Sequence, residues 1–359
     1  MIEEVLERFG LDKTKASYKP FGSGLINNTW KISSPEGDYI LQKINTHVFS
    51  TPKDISDNIL MIKQYLDRVA PKYFFVGPVQ AKNGDSVLEF DGQAYRLFPY
   101  VANSITIDEV EHAEQAYHAA KQFGKFTRML EAFNPGKLKI SIQDFHNLPF
   151  RVTQYQHALS IASKQRLNAA EWAIKEIDRH FDIVKTFNQV TENKELTVRV
   201  IHHDTKISNV LLNKDNGSGI CVIDLDTVMP GFFISDVGDM MRTYLSLSNE
   251  EETDFDNIQI RPEMFAAIYK GYMEEMDKIL NASEKQLFIY SGKFMIFMQA
   301  IRFLTDFLSG DVYYKITSTR HNLNRAENQI FLLNKYVESE PVFNDIIANR
   351  IKDLELISK

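Results

Sequence analysis

Apolar and polar residues alternate along this chain with two different periods. Over the first hundred residues the apolar positions fall in short runs: YKPFGSG, LINNTWKISS, DYILQKI, SVLEF and QAYRLFPYV. These runs are rich in aromatic and β-branched residues. They are punctuated by PEGD, NGD and DG, the composition of strands joined by tight turns. One segment among them, DISDNILMIKQYLDRV, carries its apolar residues at helical spacing instead. The pattern predicts a small antiparallel sheet with one helix.

Beyond Val101 the helical period takes over. IDEVEHAEQAYHAAKQFGKFTRMLEAF and NAAEWAIKEIDRHFDIVKTFNQV each predict a long helix, and RPEMFAAIYKGYMEEMDKIL another. SEKQLFIYSGKFMIFMQAIRFLTDFLSG opens on Ser283 and Gln286 in a capping-box pattern and stops at Gly310. The last stretch, from His321, predicts two helices separated by Pro341. One segment interrupts this series. VIHHDTKISNVLLNKDNGSGICVIDLDTVMPG, Val200 to Gly231, predicts two apolar strands bridged by NKDNGSG, a β-hairpin. The whole predicts an α+β chain of two lobes. The first, 1–101, is a small antiparallel sheet with one helix. The second, 102–359, is large and mostly helical and carries the hairpin.

Composition narrows the functional classes. The 359 residues are 44% hydrophobic and 25% charged, an ordinary globular balance. A net charge of −7 argues against general nucleic-acid binding, which needs a basic surface. The single cysteine, Cys221, makes no intrachain disulfide or cysteine metal cluster and reads as a small buried strand residue. MIEEVLERFG is acidic and amphipathic, unlike a signal or transit peptide. The most apolar run, FMIFMQAIRFL, is too short to span a bilayer. A cytoplasmic protein with no membrane or nucleic-acid partner is expected. There is no coiled-coil seam, and a monomer is expected.

The hairpin holds the candidate chemistry. Asp204, Lys206 and Asn209 precede the strand VLLN, and Asp224 and Asp226 lie in ICVIDLDTVMPG. Alternate strand residues share a face, so these two carboxylates are expected to project together, with Asn209 near Asp224 across the pair. Oxygen donors of this kind suit a hard cation such as Mg²⁺. Asp204 is suited to take a proton from an attacking hydroxyl, and Lys206 to neutralise a phosphate. The rival reading, an acidic surface hairpin, sits badly with the flanking VLL and ICVI.

HHDTKISN, an apolar strand and then IDLD resemble the catalytic and metal-binding loops of the protein-kinase-like fold. The Asp, Lys and Asn spacing matches the HRDLKPEN pattern of eukaryotic-type kinases. The ID-x-D end is closer to aminoglycoside phosphotransferases and choline kinases than to DFG. The resemblance implies ATP and Mg²⁺ as cofactors. It makes Asp204 the catalytic base with Lys206 beside it, and Asn209, Asp224 and Asp226 the metal ligands. It also implies a Gly-rich phosphate loop, for which FGSGLINNTWKI offers Gly22, Ser23 and Gly24. Adenine is expected against the connector, near Phe98, Pro99, Tyr100 and Val101. One part departs from the pattern. The third strand, YILQKIN, has Gln42 where a lysine is usual, with Lys43 beside it, and the following helix has no glutamate. Phosphate positioning falls to Gln42 or Lys43, the Gly-rich loop and metal.

Over nearly the whole chain, FGSGLINNTW, YILQKINTHVF, AYRLF, HHDTKISNVLL, IDLDTVMPG and RFLTDFLSGDVYY with HNLNR resemble the N-acetylhexosamine 1-kinases. That family phosphorylates the anomeric hydroxyl of N-acetylglucosamine or N-acetylgalactosamine. The residues point to a polar site on their own account. Gln299, Arg302 and Asp306 form a stripe on an otherwise apolar helix, and such a stripe must be satisfied. It is satisfied either by an Arg302–Asp306 pair at i,i+4 or by a ligand. Asp204, Arg302, Asp306 and Tyr313, an aromatic placed to close a pocket, are the expected substrate-binding residues, with His321 and Asn322 as further candidates. The acidic run NEEETDFD reads as a solvated loop rather than a seat for a cationic aminoglycoside. Kinases of an aminoglycoside, choline or homoserine are the alternatives. A catalytically inactive nucleotide-binding module is another.

Overall fold

The computed structural model describes residues 1–22, 27–46, 49 and 51–357. They form two compact units. One comprises Met1–Thr106, Met129–Gln143 and Val210–Pro230, the other Ile107–Arg128, Asp144–Asn209 and Gly231–Lys359. The hairpin strands therefore group with the sheet-bearing unit.

In the first unit, helix α1 (Ile2–Arg8) precedes strands β1 (Ser17–Pro20), β2 (Asn28–Ser34) and β3 (Gly37–Ile44), helix α2 (Pro52–Val69), and strands β4 (Leu88–Phe90) and β5 (Gln93–Pro99). The five strands make one antiparallel sheet in the order β1-β2-β3-β5-β4. The period of two sorts its faces. Ile32, Leu41, Tyr95 and Leu97 pack with Val5 and Leu6 of α1 in one core. Gln42 and Arg96, paired across β3 and β5, belong to the other face. A second antiparallel sheet joins β6 (Ser104–Ile105) to the hairpin strands β8 (Val210–Asn213) and β9 (Gly219–Val222). Asn213 Oδ1 closes the hairpin turn by accepting from the amides of Asp215 and Asn216, and Gly217 supplies the positive φ.

The second unit is helical apart from β7 (Arg199–Ile201). Its helices are α3 (Ala113–Met129), α4 (Leu148–Ile161), α5 (Lys164–Ala169), α6 (Glu171–Arg179), α7 (Asp182–Glu192), α8 (Phe233–Tyr244), α9 (Pro262–Met276), α10 (Ala282–Gln286), α11 (Phe288–Leu308), α12 (His321–Glu338) and α13 (Glu340–Ile357). The centre is α11, apolar nearly all round and packed by α4, α8 and α12. Gly238 allows α8 to approach it closely, because any Cβ there would collide with the carbonyl of Ser291. Among the described residues no helix is long and apolar enough to cross a membrane.

Several boundaries differ from the sequence pattern. The predicted helix over 168–190 breaks at His180, whose ring bonds Asn334 at 2.6 Å, so tertiary packing overrides a continuous apolar period. The capping box uses Asn281 and Glu284, not Ser283 and Gln286. Glu284 is drawn there by its buried pairing with Arg199. Helix α3 begins at Ala113, not Ile107, because Gln115 Oε1 accepts from the amides of Glu111 and His112 and stops the turn. Helix α4 is blurred in the sequence by its exposed Phe150 and Ile161.

Candidate active site

The Asp204 loop is moulded by α8. The amides of His202 and His203 donate to the Asp236 carboxylate at 3.1 and 2.7 Å, and Thr205 N donates to Asp239 at 2.8 Å. The Tyr244 hydroxyl holds the carbonyl of Thr205. His202 is buried edge-on against Phe123 and Phe126. His203 adopts a left-handed φ of 67°, and the absence of a side chain at Gly231 leaves room for its ring. Burial pushes Asp236 up to about 7 against the pull of its two amide donors, with Asp239 and Asp204 adding repulsion. Burial raises Asp239 as well, opposed by Arg242. The sequence pattern did not single out these two aspartates. Their signal is the i,i+3 pair of carboxylates in FISDVGDMM, an otherwise apolar helix.

Asp204 emerges from this frame partly exposed. Asn209 Nδ2 donates to its Oδ2 at 3.0 Å and to its carbonyl at 2.9 Å, and Lys206 Nζ lies 3.2 Å from Oδ2. The predicted Asp, Lys and Asn thus share one short loop and contact one another. Asn209 directly precedes Val210, which pairs with Val222 two residues before Asp224.

Asp224 and Asp226 do not share a strand face. Strand β9 ends at Val222, Asp224 takes a left-handed φ of 57°, and Leu225–Thr227 form a 3-10 turn. The Asp226 carboxylate is buried against Arg96 of β5. Nη1 bonds Oδ1, and Nη2 bonds Oδ2 at 2.8 Å. Asn27 adds a bond to Oδ2 at 3.2 Å. Gln42 Oε1 accepts from Arg96 Nε at 2.9 Å, while Lys43 points from the opposite face of β3, across from Tyr95. On α2, buried Asn58 exchanges two hydrogen bonds with the Lys139 backbone and reaches the Val228 carbonyl at 3.5 Å. Gly22 has a φ of 80°, and Ser23 and Gly24 lie outside the described residues. Pro99 closes β5, the Tyr100 ring meets Phe21 and Lys31, and the Val101 carbonyl accepts from Ser104.

Asn209 and Asp224 each carry an oxygen donor of the kind a hard divalent cation takes. Asp226 fits less well, since both its oxygens are matched by Arg96 and Asn27. Among the described residues, no three His, Cys, Asp or Glu side chains form a metal cage by themselves.

A family model described as the phosphotransferase enzyme family matches residues 17–261, more than half of the chain. The chain belongs to this phosphotransferase family. Its fold is the protein-kinase-like α+β fold of solved family members. A microcompartment-associated aminopropanol kinase has a TM-score of 0.67 at 15% identity, over 94% of this chain and 97% of that one. A spectinomycin phosphotransferase solved with ADP and spectinomycin has 0.55 at 14%, over 93% of each chain. A choline kinase from Cryptosporidium parvum Iowa II has 0.54 at 12%, over 96% of each.

Beside Asp204 the phosphotransferase carries a cationic cluster. The His146 ring stacks on Phe145 and lies 5.2 Å from the His203 ring. Arg302 lies 5.7 Å from the Phe145 ring and 5.8 Å from the Tyr314 ring. Burial, reinforced by His203 and by the cations Arg302, Arg242 and Arg151, holds His146 well below the usual imidazole range, so the ring is neutral. Two buried polar atoms here have no hydrogen-bond partner, His146 Nδ1 and Arg151 Nε, while the Tyr314 hydroxyl lies by Gln299. His146, Arg151 and Tyr314 were not predicted, because no local motif marks them.

Of the two readings of the stripe, the Arg302–Asp306 pair is not made. Arg302 donates to Gln299 at 3.2 Å. Asp306 accepts from the amides of Val312, Tyr313 and Tyr314 and from Asn322 Nδ2 at 2.8–2.9 Å, and so fixes that loop. Tyr313 is 72% exposed, and its neighbour Tyr314 turns toward Arg302 instead. The acidic run is tied down rather than simply solvated. Glu250 pairs with Arg242, and Glu251 with His321 and Arg325.

Proposed function

We propose that this phosphotransferase is an ATP- and Mg²⁺-dependent kinase of the anomeric hydroxyl of an N-acetylhexosamine, giving a sugar 1-phosphate and ADP. The charge of the cluster beside Asp204 carries the choice of acceptor. Arg151 and Arg302 act on a neutral imidazole, while the charge of Arg242 is matched by Asp239 and Glu250. An ammonium acceptor such as choline, aminopropanol or an aminoglycoside would meet like charge there. A neutral sugar would meet donors for its amide carbonyl and hydroxyl oxygens, and the unmatched atoms of His146 and Arg151 would gain partners. The extended sequence resemblance supports the same acceptor, and the ADP held by the spectinomycin phosphotransferase supports the nucleotide.

In this reading the anomeric oxygen attacks the γ-phosphorus, the bond to the bridging oxygen breaks, and ADP leaves. Asp204 orients the hydroxyl and takes its proton. Lys206 offsets charge on the transferred group, and Arg302 and Tyr314 hold the sugar. Asn209 and Asp224 would hold Mg²⁺, which supplies charge neutralisation at the phosphates.

The test is ³¹P NMR of the products from Mg-ATP with N-acetylglucosamine or N-acetylgalactosamine. A sugar 1-phosphate resonance split by the anomeric proton is expected. ADP formed without that resonance, but with choline or an aminoglycoside consumed, would overturn the acceptor. No ADP with any acceptor would leave a nucleotide-binding module.

A further inference from the structure

We infer that the Arg96–Asp226 pair is a positioning clamp for the Asp224 turn, built opposite the strand position where the usual lysine is missing. Asp226 acts through this clamp and not as a metal ligand. The inference rests on the phosphotransferase reading of the site. It starts from where Arg96 lies: on β5, directly opposite Gln42, the position at which the lysine was expected. Both members are buried, with side-chain exposures of 2% and 3%. Their contact is bidentate, two parallel N–H···O bonds, a geometry that fixes orientation as well as distance. Nε of the guanidinium donates to Gln42. Asn27 ties the second carboxylate oxygen to the β3 end through its own acceptance of the Asn45 amide. This guanidinium is therefore committed to the protein and is not a loose cation awaiting a phosphate.

Two ions this deeply buried contribute little net stability, since apolar residues of similar volume often serve as well. Their use is geometric. Asp226 lies within the 3-10 turn that begins at Asp224, whose left-handed backbone is tolerated by aspartate but must be held by its surroundings. The clamp pins the middle of that turn, and Asn58 reaches the Val228 carbonyl just beyond it. A lysine at 96 keeps the charge but has no fork.

The test compares Arg96→Lys, Asp226→Asn and the double variant. It uses kcat, KM for ATP, Mg²⁺ titration, and hydrogen–deuterium exchange of residues 223–228. Each single change is expected to lower kcat about 100-fold, the scale of a misplacement of about 1 Å. The double variant should be no worse than either, and exchange should quicken at 223–228 alone. Arg96→Met/Asp226→Leu, checked for folding by thermal melt, should still lose kcat and so separates positioning from stability. A Mg²⁺ requirement raised by Asp226→Asn but not by Arg96→Lys would make Asp226 a ligand and overturn the clamp. A KM for ATP raised by Arg96→Lys alone would make Arg96 a phosphate contact, with the same consequence. If the wild-type chain transfers phosphate to no acceptor, the kinase reading fails. Exchange then decides the clamp separately, and an unchanged rate at 223–228 in Arg96→Lys overturns it.

Discussion

Asp204 is held from within its own loop. Asn209 grips both its carboxylate and its carbonyl, and Lys206 lies against the same oxygen. Asp204→Asn retains the shape and removes the basicity. Turnover should fall by about 10²–10⁴-fold, the usual contribution of a general base, with little change in thermal midpoint; normal single-turnover rates would displace Asp204 from that role. Asp236, beneath it, gives a pH signature. Its carboxyl is raised by burial to about 7 from an ordinary value of 3.8. The folded state therefore binds this proton more tightly than the unfolded one. The group's contribution to stability is largest at low pH and is lost as pH rises through that window. Asn at 236 does not titrate and offers one acceptor to two amides, a loss of about 1–3 kcal/mol. Paired melts at pH 5 and pH 8 should show wild type exceeding Asp236→Asn by more at pH 5. A gap that widens at pH 8 would contradict the assignment. The contacts among Asp204, Lys206 and Asn209 were legible in the sequence because they lie within five residues. Arg96 was not, because its partner is 130 residues away and no local spacing reports it.

At the scale of elements, Asp306 shows how a correct location can hide a different use. Gln299, Arg302 and Asp306 were read as one stripe on α11, and all three do lie on that helix. The carboxylate instead gathers three successive amides of the loop that presents Tyr314. An i,i+4 spacing permits an ion pair but does not outcompete several amides needing an acceptor. Asp306→Ala leaves those amides and Asn322 without their acceptor. The loss should be about 1–3 kcal/mol of stability, with a raised KM for the acceptor and an unchanged KM for ATP. Equal rises in both constants would mean that the loop does not serve the acceptor. The sheet, the hairpin and α11 were visible because each buries a continuous apolar face. The break at His180 was not, because the apolar period runs straight through it and His180 is held by the distant Asn334.

For the molecule as a whole, the negative charge is not spread evenly. The chain carries −7, yet Arg151 and Arg302 act on His146 beside the Asp204 loop, while Arg242 is paired with Asp239 and Glu250. The sequence supplied the total but not this arrangement, since the three arginines come from α4, α8 and α11. The cluster should act little on a neutral acceptor and strongly on an anionic product. Raising ionic strength from about 20 mM to about 0.5 M shortens the screening length from roughly 20 Å to roughly 4 Å. The acceptor KM should then stay nearly constant, while inhibition by the proposed product, a sugar 1-phosphate, weakens several-fold. Arg302→Gln should raise the acceptor KM about 10- to 100-fold, the worth of a charge-assisted hydrogen bond, and remove most of the salt effect on product inhibition. Choline or an aminoglycoside competing with the sugar, and doing so better after Arg302→Gln, would show that amines enter the site and are held off only by charge. Competition by amines that is undiminished in the wild-type enzyme would reverse the assigned acceptor class, because the arginines would then not face the acceptor at all.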